Sequence, residues 1–84
     1  MSYAVFILRR AQKELAKLPE EAYRQAKEAI ASLGSEPRPT GCQKLVSREG
    51  WRIRAGDYRV IYEIDDTKRI VTVLHVGHRR DIYR

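Results

Sequence analysis

The chain has 84 residues with 17 Lys or Arg against 11 Asp or Glu, so its formal net charge is +6 at pH 7. A hydrophobic fraction of 43% supports one small core and a single domain over residues 1–84, which excludes global disorder. No apolar run approaches the ~20 residues of a membrane span, so the charge predicts a nucleic-acid or acidic protein partner. The single cysteine and the absence of a signal-peptide pattern indicate a cytoplasmic protein.

The N-terminal half predicts a strand followed by a helical hairpin. The apolar run from Ser2 to Leu8 is too short for a helix, and its aromatic and β-branched residues favour a buried strand. From Arg9 to Leu18 the apolar residues recur at helical spacing, and Pro19 ends that helix. A second helix is predicted to run to about Leu33, with one apolar stripe. We expect both helices to pack through their apolar faces.

The C-terminal half predicts a β-meander. The stretch from Trp51 to Tyr83 reads as three strands joined by two tight turns and followed by a basic tail. A short edge strand at Lys44 to Val46 precedes it. The last strand, Ile70 to Val76, is apolar on both faces, which predicts an interior position beside the N-terminal strand. In that strand Ile70, Leu74 and Val76 are assigned to one face, and Val71, Val73 and His75 to the other. The predicted fold class is α+β, with the helices on one face of a small, mostly antiparallel sheet.

Arginines alternate with apolar residues at the start of the meander. If a tight turn at Gly56 joins the first two strands, Arg54 lies opposite Arg59, and Arg52 lies opposite Ile61. Like charges that face each other across a ladder destabilise a sheet, so we expect these arginines to bind an anion. A solvated outer face is the alternative.

The basic surplus lies mainly in the same half of the chain. Residues 42–84 hold ten Lys or Arg against six Asp or Glu, and residues 1–41 hold seven against five. Arg79 and Arg80 follow directly after the third strand. The pattern predicts a polyanion site on one face of the sheet.

Other constellations predict no metal site and no cofactor. There is no cysteine pair, and neither histidine has a carboxylate or thiol at ligand spacing. Asp65 and Asp66 fall in a turn, where solvated acids are the ordinary interpretation. Trp51 and Tyr62 could stack on bases, but core positions are favoured. His75 is interpreted as a satisfied buried histidine, whereas His78, between Gly77 and Arg79, is the better functional candidate.

The order of elements, the segment WRIRAGDYRVIYEI and the terminal VGHRRDIYR resemble the RelE/ParE superfamily of type II toxin–antitoxin toxins, and within it the RelE branch. The resemblance covers essentially the whole chain. It implies a ribosome-dependent endoribonuclease that cuts messenger RNA in the ribosomal A site, here without a metal. The implied partners are the ribosome with its message and an acidic, partly disordered RelB-like antitoxin in a hetero-oligomer. A ParE-like inhibitor of DNA gyrase and a relative that only binds its antitoxin are the alternatives.

The resemblance also implies the site residues. Arg52 and Arg54 match its two basic strand positions, Arg59 the arginine after the strand tyrosine, Arg79 the arginine after VG-x, and Tyr83 the terminal tyrosine. These five are the predicted catalytic residues. RNA or ribosome binding is assigned to Arg52, Arg54, Lys44, Arg80 and His78. RelE toxins carry lysines where this chain has Arg52 and Arg54. Arginine stays protonated, so proton transfer is left to Tyr83 and His78.

Overall fold

The computed structural model describes residues 2–46 and 49–80. Within them the helices and strands are β1 (Ala4–Ile7), α1 (Arg9–Ala16), α2 (Glu20–Ser32), β2 (Gln43–Lys44), β3 (Trp51–Ala55), β4 (Tyr58–Asp65) and β5 (Ile70–His78). The first helix starts at Arg9 as predicted, and the two helices end two residues and one residue earlier than predicted. The predicted tail residue Tyr83 lies outside the described residues.

The five strands form one sheet in the order β1-β5-β4-β3-β2. β1 runs parallel to β5, and the other neighbours are antiparallel. The predicted α+β class, the interior position of β5 and the place of β1 beside it are confirmed. The predicted short edge strand is displaced, because β2 comprises Gln43 and Lys44 rather than Lys44 to Val46. Leu45 is still tied to the start of β3, since its N–H donates to the carbonyl of Gly50 over 3.0 Å.

The core lies between the two helices and one face of the sheet. Helical spacing brings Ala11 and Leu15 of α1 and Ala26 and Ile30 of α2 onto the sheet, where all four are buried. Strand alternation supplies the facing residues, which are Ile53, Ala55, Val60, Tyr62, Val71, Val73 and Val76. Tyr62 is fully buried and Trp51 packs against the same cluster, so the core interpretation of both aromatics is confirmed.

A β-bulge changes the phase of β5. Ile61 pairs with His75, but the next residue, Tyr62, pairs with Val73, which leaves Leu74 as the extra residue. Beyond the bulge Val76 returns to the helix-facing side of the sheet, where it is buried. The predicted faces for Val76 and His75 are therefore wrong, because strict alternation ends at Leu74.

His75 is hydrogen-bonded, as predicted, but it is half-buried rather than buried. Its Nδ1 lies 2.7 Å from the carboxylate of Glu14 on α1, and the N–H of Val76 donates to the same carboxylate over 2.9 Å. β1 pairs with β5 only as far as Val73, so the edge of β5 is uncovered beyond that point. Glu14 supplies an acceptor there, and thereby joins α1 to the sheet.

β1 is an edge strand, which corrects its prediction as a buried one. Val5 and Ile7 pack on the core, but Phe6 is 55% exposed and Leu8 is 45% exposed. The segment is apolar on both faces, whereas the helices cover only one of them. None of the helices in residues 2–46 and 49–80 is long and apolar enough to cross a membrane.

Candidate nucleic-acid interface

The sheet face opposite the helices carries the predicted arginines in register. Arg54 pairs with Arg59, which pairs in turn with Gly77 of β5. The register therefore places two arginines beside a residue without a side chain. Arg52 lies one row away, opposite Ile61. Both cross-strand pairings predicted from the sequence are confirmed.

The tight turn between β3 and β4 fixes this register. Ala55 pairs with Tyr58, so only Gly56 and Asp57 form the loop. Gly56 has φ +63°, a conformation that side chains disfavour. An added Cβ there would also lie 2.6 Å from Oε1 of Gln25 on α2. The positive φ of the turn therefore favours glycine, whereas the Gln25 side chain could move away from an added Cβ.

Arg52, Arg54 and Arg59, which share this face of the sheet, are called the arginine face below. Arg59 donates from Nη1 to the carbonyl of Tyr58 over 3.3 Å, and Arg54 is exposed. Among residues 2–46 and 49–80, no carboxylate forms an ion pair with Arg54, Arg59 or Arg79. Facing guanidinium groups that have no carboxylate partner in the part of the chain described give this end of the sheet a positive potential.

Arg52 is held in a defined orientation. Its Nε donates to Oε1 of Gln43 over 2.9 Å, and its Nη2 donates to the same oxygen. Gln43 lies opposite Arg52 in the β2–β3 pair. The sequence analysis missed Gln43, because a neutral amide two residues after a glycine carries no signal of a site. Lys44 pairs with Trp51 and lies on the other face, so the structure does not bring it to the arginine face.

The chain after β5 is tied to the same end of the sheet. The N–H of Arg79 donates to the carbonyl of Asp57 in the β3–β4 turn over 2.9 Å. This bond holds the backbone of Arg79 close to the row that contains Arg59. Arg80 follows as an exposed residue. The structure thus brings the backbone of Arg79, followed by Arg80, to the end of the sheet that holds Arg59, and Tyr83 lies beyond the described residues.

His78 is fixed by two contacts. Its ring meets Tyr58 edge-on, with 5.4 Å between centroids and an interplanar angle of 84°. Its Nδ1 accepts the N–H of Arg80 over 3.2 Å. Since Nδ1 is an acceptor, the neutral ring carries its proton on Nε2. In this tautomer His78 can donate a hydrogen bond from Nε2.

At the opposite end of the sheet the charged residues are paired with one another. Arg38 donates from Nη1 and Nη2 to the two carboxylate oxygens of Asp66, over 3.2 and 2.9 Å, and its guanidinium lies 5.1 Å from the ring centroid of Trp51. The Tyr3 hydroxyl donates to the same carboxylate over 2.6 Å. These hydrogen bonds, first from Arg38 and then from Tyr3, lower the pKa of Asp66 to about 2. These four residues are called the Arg38 cluster below.

The Arg38 cluster corrects the interpretation of the turn acids. Asp66 is ion-paired and hydrogen-bonded rather than simply solvated, and Asp65 accepts the N–H of Lys68 over 2.9 Å. Within residues 2–46 and 49–80, no group of three or more His, Cys, Asp or Glu could hold a metal ion. The cluster escaped sequence analysis because its members lie 28 and 63 residues apart.

A cleft of about 590 Å³ adjoins the arginine face along the outer edge of β3. Arg52, Arg54 and Arg59 line one side of it, and the end of α2 with the following loop lines the other. The opening is a direct consequence of the short β2, which covers only the first two residues of β3. The sequence analysis did not identify this cleft.

Comparison with known proteins gives one consistent family. Residues 5–83 match the family model described as the ParE toxin of type II toxin–antitoxin systems, parDE. Toxin RelG of Mycobacterium tuberculosis is 39% identical to the chain over an alignment that covers 100% of this chain and 99% of RelG. The matched family and the relative thus agree on a type II toxin, and the relative is named for the RelE side of the superfamily.

Solved structures agree with this assignment. The archaeal RelE–RelB complex from Pyrococcus horikoshii OT3 has a RelE-like fold with a TM-score of 0.84 at 32% identity, covering 96% of this chain and 99% of that one. The toxin–antitoxin complex RelBE2 of M. tuberculosis gives a TM-score of 0.81 at 32% identity, covering 94% and 100%. Together with the fold, these matches fit the RelE branch better than the ParE branch. The chain therefore belongs to the RelE/ParE family of toxins from type II toxin–antitoxin systems.

Proposed function

We propose that this toxin is a ribosome-dependent endoribonuclease that cleaves messenger RNA in the ribosomal A site and so stops translation. The observation that carries the proposal is the row of Arg54 and Arg59 beside Gly77, with the backbone of Arg79 tied to the same end of the sheet. Guanidinium groups bind phosphate through paired hydrogen bonds and stay charged. Cations that oppose each other without carboxylate partners are costly for the fold alone, and a phosphate between them removes that cost.

The reaction uses a nucleophile that the RNA itself supplies. The 2′-oxygen of one ribose forms a bond to the adjacent phosphorus, and the bond from phosphorus to the 5′-oxygen of the next nucleotide breaks. The 2′-hydroxyl loses a proton and the leaving 5′-oxygen gains one, which gives a 2′,3′-cyclic phosphate and a 5′-hydroxyl. Negative charge that develops on the phosphoryl oxygens is stabilised by Arg59 and Arg79. Arg52 and Arg54 bind the flanking backbone.

Proton transfer is assigned to His78 and Tyr83. We assign protonation of the leaving 5′-oxygen to Nε2 of His78 in its imidazolium form, in which both ring nitrogens carry protons and the N–H of Arg80 no longer donates to Nδ1. Removing the proton from the 2′-hydroxyl is then left to Tyr83. Positive charge favours the ionised form of a tyrosine, and Tyr83 is close in sequence to Arg79, Arg80 and Arg84.

The proposed reaction needs no metal ion bound to the toxin. Guanidinium groups provide the positive charge that a metal would otherwise bring to the phosphoryl oxygens. The test is message cleavage on programmed ribosomes by toxin that has been treated with chelator and then desalted, since the ribosome itself needs magnesium. We expect unchanged cleavage. Activity that disappears and returns only with a transition metal would contradict the arginine-based mechanism.

The matched family model is named for ParE toxins, so the ParE-like alternative is tested as well. ParE toxins inhibit DNA gyrase, so supercoiling by gyrase is measured beside message cleavage. A wild-type toxin that arrests growth, inhibits gyrase and leaves every message intact would replace the proposal with the ParE-like function. Cleavage within the A-site codon, with gyrase unaffected, supports it.

The proposed partner is an acidic, partly disordered antitoxin similar to RelB, bound to this single-domain toxin in the cytoplasm. The solved relatives include RelE toxins in complex with RelB. An acidic segment over the arginine face would neutralise it and block access of RNA. Co-expression with the product of a neighbouring acidic reading frame should give co-purification, relief of growth arrest and a raised melting temperature. Failure of all three would contradict this partner.

A further inference from the structure

The cleft beside the arginine face has features of a nucleotide site. It runs along the outer edge of β3 and has a volume of about 590 Å³, within the range of small-molecule sites. One wall is cationic, formed by Arg52, Arg54 and Arg59. The opposite wall belongs to α2 and to the loop that follows it. The cleft therefore connects the proposed phosphate site with a space large enough for a base.

The edge of β3 offers hydrogen-bonding groups to this space. Residues of an antiparallel strand direct their peptide groups alternately to the two neighbouring strands. Those of Gly50 face β2, since its carbonyl accepts the N–H of Leu45, and those of Arg52, two residues on, face the same strand. Those of Arg54 face the same way, but β2 begins only at Gln43 and leaves them uncovered. The N–H and C=O of Arg54 thus present an adjacent donor and acceptor, which match the edge of a nucleobase.

The opposite wall is small and open. Ala29 and Ser32 contribute short side chains from the last turns of α2, and Pro39 and Thr40 contribute a ring and a hydroxyl. Gly41 has φ +93°, and no heavy atom lies within 4 Å of the position of an added Cβ. A flat ring inserted there can lie against the proline ring and a guanidinium plane, which bind bases by stacking.

Both walls are held in place before any ligand arrives. Gln43 orients Arg52 through the 2.9 Å hydrogen bond from Nε. The loop before Pro39 is fixed by the bidentate pair of Arg38 with Asp66 and by the buried hydroxyl of Tyr62, which donates to the carbonyl of Pro37 over 2.7 Å. A site with fixed walls loses little conformational entropy on binding.

We propose that this cleft binds one nucleotide of the RNA strand next to the cleaved bond, with its base at the Arg54 edge of β3 and its phosphate at Arg52 and Arg59. The proposal rests on the proposed function, since it places the subsite beside the reacting phosphate. It makes the cleft, rather than the arginines, the part of the toxin that distinguishes one base from another. An acidic side chain of a protein partner is the competing occupant.

The test is a titration of the isotope-labelled full-length toxin, followed by NMR, with each of the four nucleoside 5′-monophosphates. Ribose 5-phosphate is the matched probe without a base. We expect the backbone signals of Thr40, Gly41 and Arg54 to shift with at least one nucleotide and not with ribose 5-phosphate. A succinylated or glutamate-rich peptide is titrated in parallel as the probe for an acidic partner.

Two tryptophan substitutions at adjacent residues of α2 test whether nucleotide binding depends on the cleft. Ser32→Trp fills the cleft, whereas Ala31→Trp adds the same side chain to an exposed neighbour that does not line it. Ser32→Trp should weaken nucleotide binding at least about tenfold, the order expected for the loss of one base-stacking contact. Ala31→Trp should bind as wild type, with both melting temperatures unchanged.

Three results would overturn the proposal. They are equal shifts with nucleotides and ribose 5-phosphate, nucleotide binding that survives Ser32→Trp, and cleft shifts caused by the acidic peptide alone. Each can be observed in a toxin that still cleaves message, so the subsite can fail while the proposed function stands. A toxin that binds nucleotides in the cleft but cuts no message on ribosomes would instead retain the subsite and refute the proposed function.

Discussion

The two ends of the sheet use arginine in opposite ways. At one end, Arg38 has both of its terminal nitrogens on the carboxylate of Asp66 and lies over Trp51. At the other, Arg54 and Arg59 oppose each other and find no carboxylate within the described residues. An arginine paired with a carboxylate helps to stabilise the fold. Two opposed arginines destabilise the folded protein but strengthen its binding to a polyanion. The presence or absence of a carboxylate partner therefore distinguishes arginines that stabilise the fold from those that bind a ligand.

The largest effect is expected at the chemical centre. Arg59→Ala or Arg79→Ala should reduce message cleavage on programmed ribosomes by about 10²–10³, the usual loss for one preorganised donor to a transition state. The melting temperature should change little, because neither side chain has an ion pair within residues 2–46 and 49–80. Arg24→Ala is the matched control, since it removes one positive charge from the exposed surface of α2. Near wild-type cleavage by a folded Arg59→Ala toxin would refute its assignment.

Tyr83 should show a similar loss through proton transfer. Tyr83→Phe removes only the hydroxyl, so cleavage should fall by about 10²-fold or more with RNA binding retained. Tyr23→Phe is a suitable control, because Tyr23 is an exposed tyrosine on α2. If Tyr83→Phe cleaves at the wild-type rate, the 2′-hydroxyl proton is removed by another group.

A large effect on stability is expected at the opposite end. Tyr62 is fully buried, its hydroxyl donates to the carbonyl of Pro37, and burial raises the pKa of that hydroxyl. Tyr62→Phe leaves the carbonyl without its donor, which costs about 1–3 kcal/mol of unfolding free energy. For a domain of this size each kcal/mol lowers the melting temperature by roughly 4–8 °C. An unchanged melting temperature would show that water replaces the hydroxyl.

A smaller effect is expected for the flanking cation Arg54. Its contact is with the RNA backbone, so Arg54→Ala should weaken binding of a single-stranded oligonucleotide to the isolated toxin. The slope of log affinity against log salt should fall by about 0.7, the value for one lost phosphate contact on a single strand. Arg24→Ala should leave the slope unchanged. An equal slope in both variants would place Arg54 outside the RNA path.

The smallest effect concerns acid stability of the Arg38 cluster. The pKa of Asp66 is about 2 in the folded protein, below the roughly 3.9 of an unfolded chain. The unfolded state then binds more protons between these values, so the contribution of Asp66 is present above about pH 4 and is lost as the pH falls through about 2. Asp66→Asn should therefore flatten the fall in melting temperature across this range. The change should be modest, because the pair is exposed to solvent. If the melting temperature of Asp66→Asn depends on pH in the same way as that of the wild type, the lowered pKa of Asp66 is contradicted.

The sequence was informative where structure is determined locally. The register of Arg54 against Arg59 follows from a two-residue turn and strand alternation, so it could be predicted from a few adjacent residues. The bulge at Leu74 could not, because one extra residue in an apolar strand leaves the composition unchanged. It moved Val76 and His75 to the faces opposite those predicted.

Contacts between distant residues were the part that the sequence could not supply. Arg38 and Asp66 lie 28 residues apart, and Tyr3 and Asp66 lie 63 apart. The cleft depends on a strand of only two residues, β2, which begins opposite Arg52 and so leaves Arg54 without a neighbouring strand. The site residues inferred by resemblance stay predictions until variants are measured, and Tyr83 lies outside the described residues.

The most direct test of the contrast between the two ends compares Arg59→Gln with Arg38→Gln. Both changes replace an arginine by the same neutral amide, and both toxins are assayed for message cleavage on programmed ribosomes well below their melting temperatures. We expect Arg59→Gln to lose about 10²-fold or more in rate with its melting temperature retained. Arg38→Gln should melt earlier and still cleave within about fivefold of wild type, because its ion pair is exposed and the loop beside the cleft keeps its hydrogen bond from Tyr62. Equal loss of cleavage in both variants, or full activity in Arg59→Gln, would contradict the assignment of chemistry to the arginine face.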